Sequence, residues 1–258
     1  MLDLEQIAAF YQPSERAFKK NLLREYLQYK ILDIIFASDF ASRLAFMGGT
    51  AIRIVYGSTR FSENLDFDNF GLNEDEFTVL GQQVQKGLAL EGYAVETKNV
   101  FKGAFHCHLS FFNVLYENNI SRHKDEKLVI RLDTEPHNIA YTPEKVILNK
   151  FDVFTRISVV PEDMLLSQKI SAILRRKRTM GRDFFDAIFL FGRTKPDFAY
   201  LDSKVGIVGM QELQQRLLTK SEGLDFKQLV RDVEPFLINS RDANRILLFS
   251  EYIRELTD

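Results

Sequence analysis

The chain has 258 residues and a formal net charge of −2 at pH 7; 45% of its residues are hydrophobic and 27% are charged. This ordinary globular balance excludes a protein-wide basic field for nucleic acid, so any nucleic-acid site must be a local patch. The single cysteine, Cys107, excludes an internal disulfide. The sequence shows neither a secretory signal nor an apolar run approaching the roughly 18 residues of a membrane helix. We therefore expect a cytoplasmic protein with no membrane partner.

Helices and strands mix without a regular period in the first part of the chain. Apolar residues at helical spacing predict the first long helix, and runs of β-branched and aromatic residues predict strands further on. The predicted helices cover residues 15–38, 50–56 and 74–91, and the predicted strands cover 43–47, 65–70, 93–99, 105–116 and 127–133. This mixture predicts an α/β fold with a mixed sheet.

Helical periodicity dominates after Pro161. The predicted helices cover residues 164–178, 182–191, 209–218, 226–238 and 242–255, and residues 136–161 form the transition. We therefore predict an α/β domain over residues 1–160 and a helical domain over residues 161–258.

A glycine turn joins the first predicted strand to the helix that follows it. Gly48 and Gly49 would let the backbone approach phosphate groups closely, and the Thr50 hydroxyl would cap the helix or contact a phosphate. For an isolated match, a tight strand-to-helix turn with an N-cap is the better explanation. The turn alone therefore leaves the function open.

Two carboxylates follow the glycine turn on the next predicted strand. Asp66 and Asp68 are spaced i and i+2, so both project from one face while Phe67 points to the core. Such a pair suits Mg²⁺, which prefers hard oxygen ligands. Asp133 ends another predicted strand and would join the metal site if that strand lies beside the Asp66 strand. A solvated charge at a strand end explains Asp133 equally well.

The two motifs together resemble the AbiEii/AbiGii type of abortive-infection toxin nucleotidyltransferases. The segment Gly48-Gly-Thr50, followed by Arg60-Phe-Ser-Glu-Asn-Leu-Asp-Phe-Asp68, is similar to the first family motif. Asn64 stands where the family more usually has Asp. A second similarity lies at Leu165-Leu-Ser-Gln-Lys-Ile-Ser-Ala-Ile-Leu-Arg175 and Arg182-Asp-Phe-Phe-Asp186.

The resemblance implies a polymerase-β-like nucleotidyltransferase fold, with a helical C-terminal domain that completes the active site. It implies that Asp66 and Asp68 bind Mg²⁺ or Mn²⁺ and that Lys169 binds the triphosphate of an NTP. It places Asp183 and Asp186 at the edge of the active site. We expect Asp66, Asp68, Lys169 and Asp186 to be the catalytic residues. The residues implied to bind the nucleotide are Gly48, Gly49, Thr50, Arg60, Ser62, Lys169 and Asp183.

The second motif also has a physical interpretation of its own. The Lys169 ammonium can extend from an apolar helix face toward a phosphate. Asp186 lies one turn after Asp183 on the same helix face, where it would pair with Lys169 or orient the acceptor hydroxyl. The basic residues between positions 169 and 182 form either a solvated helix end or an edge that binds phosphates.

We therefore predict a metal-dependent nucleotidyltransferase of a toxin–antitoxin system for phage defence. By the resemblance, its acceptor is tRNA and its partner is an antitoxin. One alternative is a non-catalytic protein that binds nucleotide or RNA on the same fold. Another is an enzyme that transfers the nucleotide to a protein or a small molecule.

Overall fold

A computed structural model describes residues 2–136 and 139–256 of the protein. The chain divides into two compact units: the first comprises residues 1–51 and 61–160, and the second comprises residues 52–60 and 161–258. The roles predicted for the two domains, over residues 1–160 and 161–258, stay predictions.

The first unit is built on a mixed sheet. Within the described residues its strands are β1 (Leu44–Met47), β2 (Leu65–Asn69), β3 (Val95–Lys102), β4 (Ala104–Phe111), β5 (Leu128–Pro136), β6 (Glu144–Lys150) and β7 (Val153–Val159). Their order across the sheet is β3-β4-β5-β2-β1-β7-β6. The pairs β2–β5 and β1–β7 are parallel, and the other neighbouring pairs are antiparallel.

The structure confirms the predicted strands β1 to β5 and corrects two details. The predicted strand over residues 105–116 ends at Phe111, because Asn113 adopts a left-handed conformation (φ 59°) and a short helix follows. The predicted transition over residues 136–161 contains β6 and β7, which the sequence analysis missed. Residues 137 and 138 of that segment lie outside the described part of the chain.

Helices flank the sheet in the first unit and make up most of the second. They are α1 (Leu4–Ala9), α2 (Lys19–Phe36), α3 (Gly48–Ile54), α4 (Glu74–Leu90), α5 (Val114–Glu117), α6 (Glu162–Arg175), α7 (Gly181–Phe191), α8 (Phe198–Val205), α9 (Met210–Ser221), α10 (Phe226–Val233), α11 (Asn244–Leu247) and α12 (Phe249–Glu255). None of the described helices combines the length and the apolar character needed to cross a membrane.

The helix predictions for the second unit are confirmed in outline. The helix predicted over 226–238 ends at Val233 and continues as a 3-10 turn that contains Pro235, whose backbone has no N–H for a helical hydrogen bond. The helix predicted over 242–255 is divided between α11 and α12. Helix α8 was not predicted.

The two faces of the sheet differ in character. Residues that pair across neighbouring strands share a face, and successive residues alternate between faces. Phe46, Phe67 and Leu132 therefore lie on one face, where they are buried in the core. Helices α2 and α4 pack against strands of the sheet. Asp66 and Asp68 lie on the opposite face, which we call the carboxylate face.

Candidate active site

Strand β2 presents the two predicted metal ligands on the carboxylate face. Phe67, between them, is buried and packs its ring 5.7 Å from that of Phe46. Asp66 is half-buried and Asp68 is buried, with 5% of its surface exposed. The burial of Phe67 fixes the face of β2 that points inward, so both carboxylates project from the other face.

The glycine turn lies against the first of these carboxylates. In the antiparallel pair of β1 and β2, Met47 stands opposite Asp66, and Gly48 follows with a left-handed φ of +76°. A Cβ atom on Gly48 would lie 2.5 Å from Asp66 Oδ2. Only glycine fits this position without displacing the carboxylate, because it has no Cβ and tolerates a positive φ.

Thr50 and Ser62 hold the chain segment that precedes β2. The buried Thr50 hydroxyl donates a hydrogen bond to the backbone carbonyl of Asn64. The Ser62 carbonyl accepts a hydrogen bond of 3.1 Å from Gln28 Nε2 of α2. Both contacts position β2, and the predicted contacts of Thr50 and Ser62 with a nucleotide stay predictions.

Asp68 has a partner that the sequence analysis did not find. The Tyr141 hydroxyl donates a hydrogen bond of 2.7 Å to Asp68 Oδ2, and the Tyr141 ring lies 5.5 Å from the ring of Phe70. The two partners are 73 residues apart in sequence, so no local pattern indicates this contact.

Asp133 lies beside Asp66, as the sequence analysis proposed for neighbouring strands. The parallel pair of β2 and β5 places Asp66 directly across from Asp133. Asp133 Oδ1 lies 2.7 Å from His106 Nδ1, and Asp133 Oδ2 accepts a bond of 2.7 Å from Arg131 Nε. Both carboxylate oxygens therefore have protein partners, and the role of Asp133 as a metal ligand stays a prediction. The described residues contain no cluster of three or more His, Cys, Asp or Glu side chains suited to a metal ion.

The second unit holds a network of five charged side chains around the buried carboxylates of Asp183 and Asp186. Lys169 Nζ of α6 lies 3.0 Å from Asp183 Oδ1 and 2.8 Å from Asp186 Oδ2, both of α7. Arg60 binds Asp186 with two bonds, from Nε at 2.7 Å and from Nη2 at 2.6 Å, and Arg176 pairs with Asp183. Three cations therefore face two carboxylates, and one of these cations, Arg176, is exposed to solvent.

Asp186 is ionised within this network. Its side chain has 0% exposure, and burial alone would raise the pKa of its carboxyl. The charges of Arg60 and Lys169 and their hydrogen bonds outweigh burial, so the pKa of Asp186 lies below its usual value. The predicted pairing of Asp186 with Lys169 is observed. The pairing of Arg60 with Asp186 was not predicted from sequence, because the two residues are 126 positions apart.

The basic residues around the end of α6 are exposed. They are Arg175, Arg176, Lys177, Arg178 and Arg182, of which Arg176 pairs with Asp183. Both interpretations of this run, as a solvated helix end and as an edge that binds phosphates, are compatible with this exposure.

A comparison with protein families agrees with the motifs and the fold. The family model described as nucleotidyl transferase AbiEii toxin, type IV toxin–antitoxin system, matches residues 30–243. The chain belongs to this family. Membership supports nucleotidyl transfer as the general activity of this AbiEii chain. Because the family is one of toxin–antitoxin systems, it also implies an antitoxin as a partner.

Two solved structures are similar to this chain in fold. JHP933 from Helicobacter pylori is 18% identical with a TM-score of 0.56, and the match covers 91% of this chain and 92% of that chain. A presumed nucleotidyltransferase from H. pylori is 20% identical with a TM-score of 0.55, and the match covers 91% and 94%. Among curated proteins, none matches the chain. The predicted fold class, a polymerase-β-like nucleotidyltransferase fold with a mixed sheet and a helical C-terminal part, is confirmed.

Proposed function

We propose that this AbiEii chain transfers a nucleotide from an NTP to tRNA, with Mg²⁺ or Mn²⁺ held by Asp66 and Asp68. The close approach of Gly48 to the Asp66 carboxylate carries this proposal. It brings a backbone turn suited to phosphates next to a carboxylate suited to a metal ion. The tRNA acceptor is added from the resemblance of the motifs to the toxin family.

The donor set fits a magnesium ion. Asp66 and Asp68 supply hard carboxylate oxygens from one face of β2. Mg²⁺ is usually bound by one or two carboxylates, with substrate phosphates and water completing the coordination, so two protein ligands suffice. Bound there, the cation would stabilise the charge that develops on the transferring phosphate. The Tyr141 hydroxyl, bonded to Asp68 Oδ2, would orient that carboxylate.

We propose that Lys169 binds the triphosphate and that Arg60 adds a second positive charge beside it. The Lys169 side chain keeps 12% exposure, and a lysine ammonium is a point charge suited to a phosphate. Asp183 and Asp186 hold the Lys169 ammonium in place. We assign Asp186 a positioning role, because both of its oxygens are bonded to Arg60 or Lys169 and its side chain is fully buried. Its predicted contact with the acceptor hydroxyl stays a prediction.

The reaction is a displacement at the α-phosphorus of the NTP. The acceptor hydroxyl gives up its proton to solvent water as its oxygen forms a bond to that phosphorus. The bond from the α-phosphorus to the oxygen that bridges to the β-phosphate breaks, and pyrophosphate leaves. Gly48 and Gly49 contribute backbone N–H groups that hold phosphate oxygens during this step.

The test uses purified protein, Mg²⁺, each of the four α-labelled NTPs and unfractionated tRNA. Asp66→Asn removes the negative charge of one proposed ligand, and Glu96→Gln is the matched control. Glu96 is an exposed carboxylate on the edge strand β3 of the same sheet. We expect label on tRNA with the parent and the control, and a loss of about a hundredfold or more in Asp66→Asn, because a metal contributes several kcal/mol to such transition states.

Unchanged transfer by Asp66→Asn would contradict the metal assignment. Label on a protein or a small molecule would keep nucleotidyl transfer and replace the acceptor. NTP binding without any transfer would favour the non-catalytic alternative.

A further inference from the structure

The carboxylate face changes character across the sheet. At its centre, strands β2 and β5 carry Asp66, Asp68 and Asp133. At one end of the sheet, the paired strands β7 and β6 continue the same face, because the parallel register of Phe46 with Val159 places Ser158 on the face of Ala45 and Asp68. Six side chains of this β7–β6 pair share the carboxylate face: Lys145, Ile147, Asn149, Phe154, Arg156 and Ser158.

We propose that the five exposed members of this set, here called the hairpin platform, dock a single-stranded segment of the RNA acceptor. They are Lys145, Ile147, Asn149, Phe154 and Arg156, whereas Ser158 is buried. The inference rests on the proposed function, since it names a surface that would bring RNA to the same sheet face as the carboxylates. It adds a binding surface that neither sequence motif contains.

The chemistry of the hairpin platform is that of a surface for single-stranded nucleic acid. Phe154 is 73% exposed and Ile147 is 52% exposed, so an aromatic ring and an aliphatic side chain lie at the surface. Lys145 and Arg156 are exposed cations, and no carboxylate stands among the six side chains. Exposed aromatic rings stack on bases, while neighbouring cations follow the phosphate backbone. Asn149 adds an amide that can bond a base edge.

Charge complementarity favours RNA over a protein partner. A protein interface has an apolar core depleted of charged residues, whereas this surface has two large apolar side chains interleaved with two cations. Lys145 Nζ donates a bond of 2.6 Å to Ser158 Oγ, which holds its ammonium over the platform. The exposed cations Lys145 and Arg156 attract phosphates, so the RNA backbone is directed to the β7–β6 end of the sheet.

The position of the hairpin platform suits an acceptor that reaches the carboxylates. Strand β7 is two strands from β2, and Ser158 is level with Asp68 through Ala45. From strand spacing and rise, the Cα atoms of Arg156 and Asp68 are about 12 Å apart, and those of Phe154 and Asp68 about 16 Å. A few nucleotides at the end of an RNA strand span this range.

The test measures RNA binding separately from transfer. Fluorescein-labelled unfractionated tRNA is titrated with the protein without NTP, and anisotropy is followed over a series of salt concentrations. Phe154→Ala should weaken binding about tenfold through the loss of one stacked base. Lys145→Ala/Arg156→Ala should make the slope of log K against log[salt] less steep by about 1.4, because each lost phosphate contact removes about 0.7 for single strands.

Matched controls lie in helices α2 and α4. Leu90 is an apolar side chain with 81% exposure at the end of α4, so Leu90→Ala removes exposed apolar surface away from the platform. Lys19→Ala/Lys86→Ala removes two exposed cations from the same unit. Both controls should bind tRNA as the parent does, and all variants should keep the parent's thermal unfolding midpoint and its affinity for NTP.

Parent-like tRNA affinity and salt slope in the platform variants would overturn the proposal. So would platform variants that bind tRNA normally but no longer bind a second protein copy or a co-expressed partner, since the surface would then serve a protein. Failure of the proposed function gives a different result: the parent and controls would bind tRNA, the platform variants would not, and no label would be transferred.

Discussion

Gly48→Ala is the sharpest perturbation of the candidate site, because the new methyl group would meet the Asp66 carboxylate. The added Cβ would lie 2.5 Å from Asp66 Oδ2 and 3.1 Å from Asp66 Cβ and Cγ, so the side chain of Asp66 must move. The positive φ of +76° adds a backbone cost of about 1–2 kcal/mol for any residue with a Cβ. Overpacking adds about 1–3 kcal/mol.

Gly57→Ala separates these two costs. Gly57 has nearly the same φ, +78°, and no described atom lies within 4 Å of the Cβ that alanine would add. It therefore carries the backbone cost without the contact to a carboxylate. The difference in unfolding free energy between Gly48→Ala and Gly57→Ala measures what displacing Asp66 costs.

Urea unfolding gives the two free energies, and Mn²⁺ binding followed by electron paramagnetic resonance gives the state of the proposed metal site. We expect Gly48→Ala to lose more stability than Gly57→Ala by about 1–3 kcal/mol. We also expect it to lose Mn²⁺ binding that Gly57→Ala retains. Equal stability and equal Mn²⁺ affinity in the two variants would refute the argument that Gly48 is required by the Asp66 carboxylate.

Two further predictions concern the partners of the acidic residues. Asp186→Asn should lower the unfolding free energy by about 3–5 kcal/mol at pH 7, because Arg60 and Lys169 would keep buried charges without their carboxylate. Since the pKa of Asp186 is lowered by folding, this stabilisation is present above the unfolded pKa of about 3.9 and is lost as pH falls through the folded value. Urea midpoints of parent and variant should therefore converge in strong acid, and midpoints that differ equally at pH 7 and at pH 2 would contradict the assignment. Tyr141→Phe removes the bond to Asp68 Oδ2 and should weaken Mn²⁺ affinity about tenfold with little change in stability, measured by titration calorimetry; parent-like affinity would show that Tyr141 does not orient Asp68.

The parts of the fold that sequence could predict are those determined by local alternation. Strands β2, β4 and β5 carry apolar residues toward the core at alternating positions, and this pattern predicts both the strand and the face of each side chain. Asp66 and Asp68 therefore fall on one face as a direct consequence of the buried Phe67. The glycine turn is local too, since its positive φ requires Gly48 itself.

Strands β6 and β7 were missed because their outer face does not follow the usual alternation of polar and apolar residues. Ile147 and Phe154 point outward where polar residues are expected, so both faces of these two strands carry apolar residues. Strand β6 is also an edge strand, so it pairs with β7 alone. The outward aromatic residue Phe154 therefore obscures the strand pattern, and it belongs to the hairpin platform proposed to dock RNA.

Pairings between distant residues lay beyond the reach of any local pattern. The partners Tyr141 and Asp68 are 73 residues apart, and the partners His106 and Asp133 are 27 residues apart. Each residue type is ordinary at its position. The pairing of β4 with β5 brings His106 to Asp133, and the segment between β5 and β6 brings Tyr141 to Asp68. The sequence therefore predicts the acidic residues of the candidate site and leaves out the groups that orient them.

The charged network of the second unit gives the second motif a structural role. Asp186 has no exposed surface, and both of its carboxylate oxygens are bonded to Arg60 or Lys169. The carboxylate therefore stabilises two cations that have little access to solvent. Asp183 pairs in addition with Lys169 and with the exposed Arg176. An arginine or lysine in place of either carboxylate would take a partner from these cations, and the unit would lose stability. The ion pairs of Lys169 with Asp183 and Asp186 therefore hold helices α6 and α7 together, and the proposed contact with a triphosphate would use the same ammonium group.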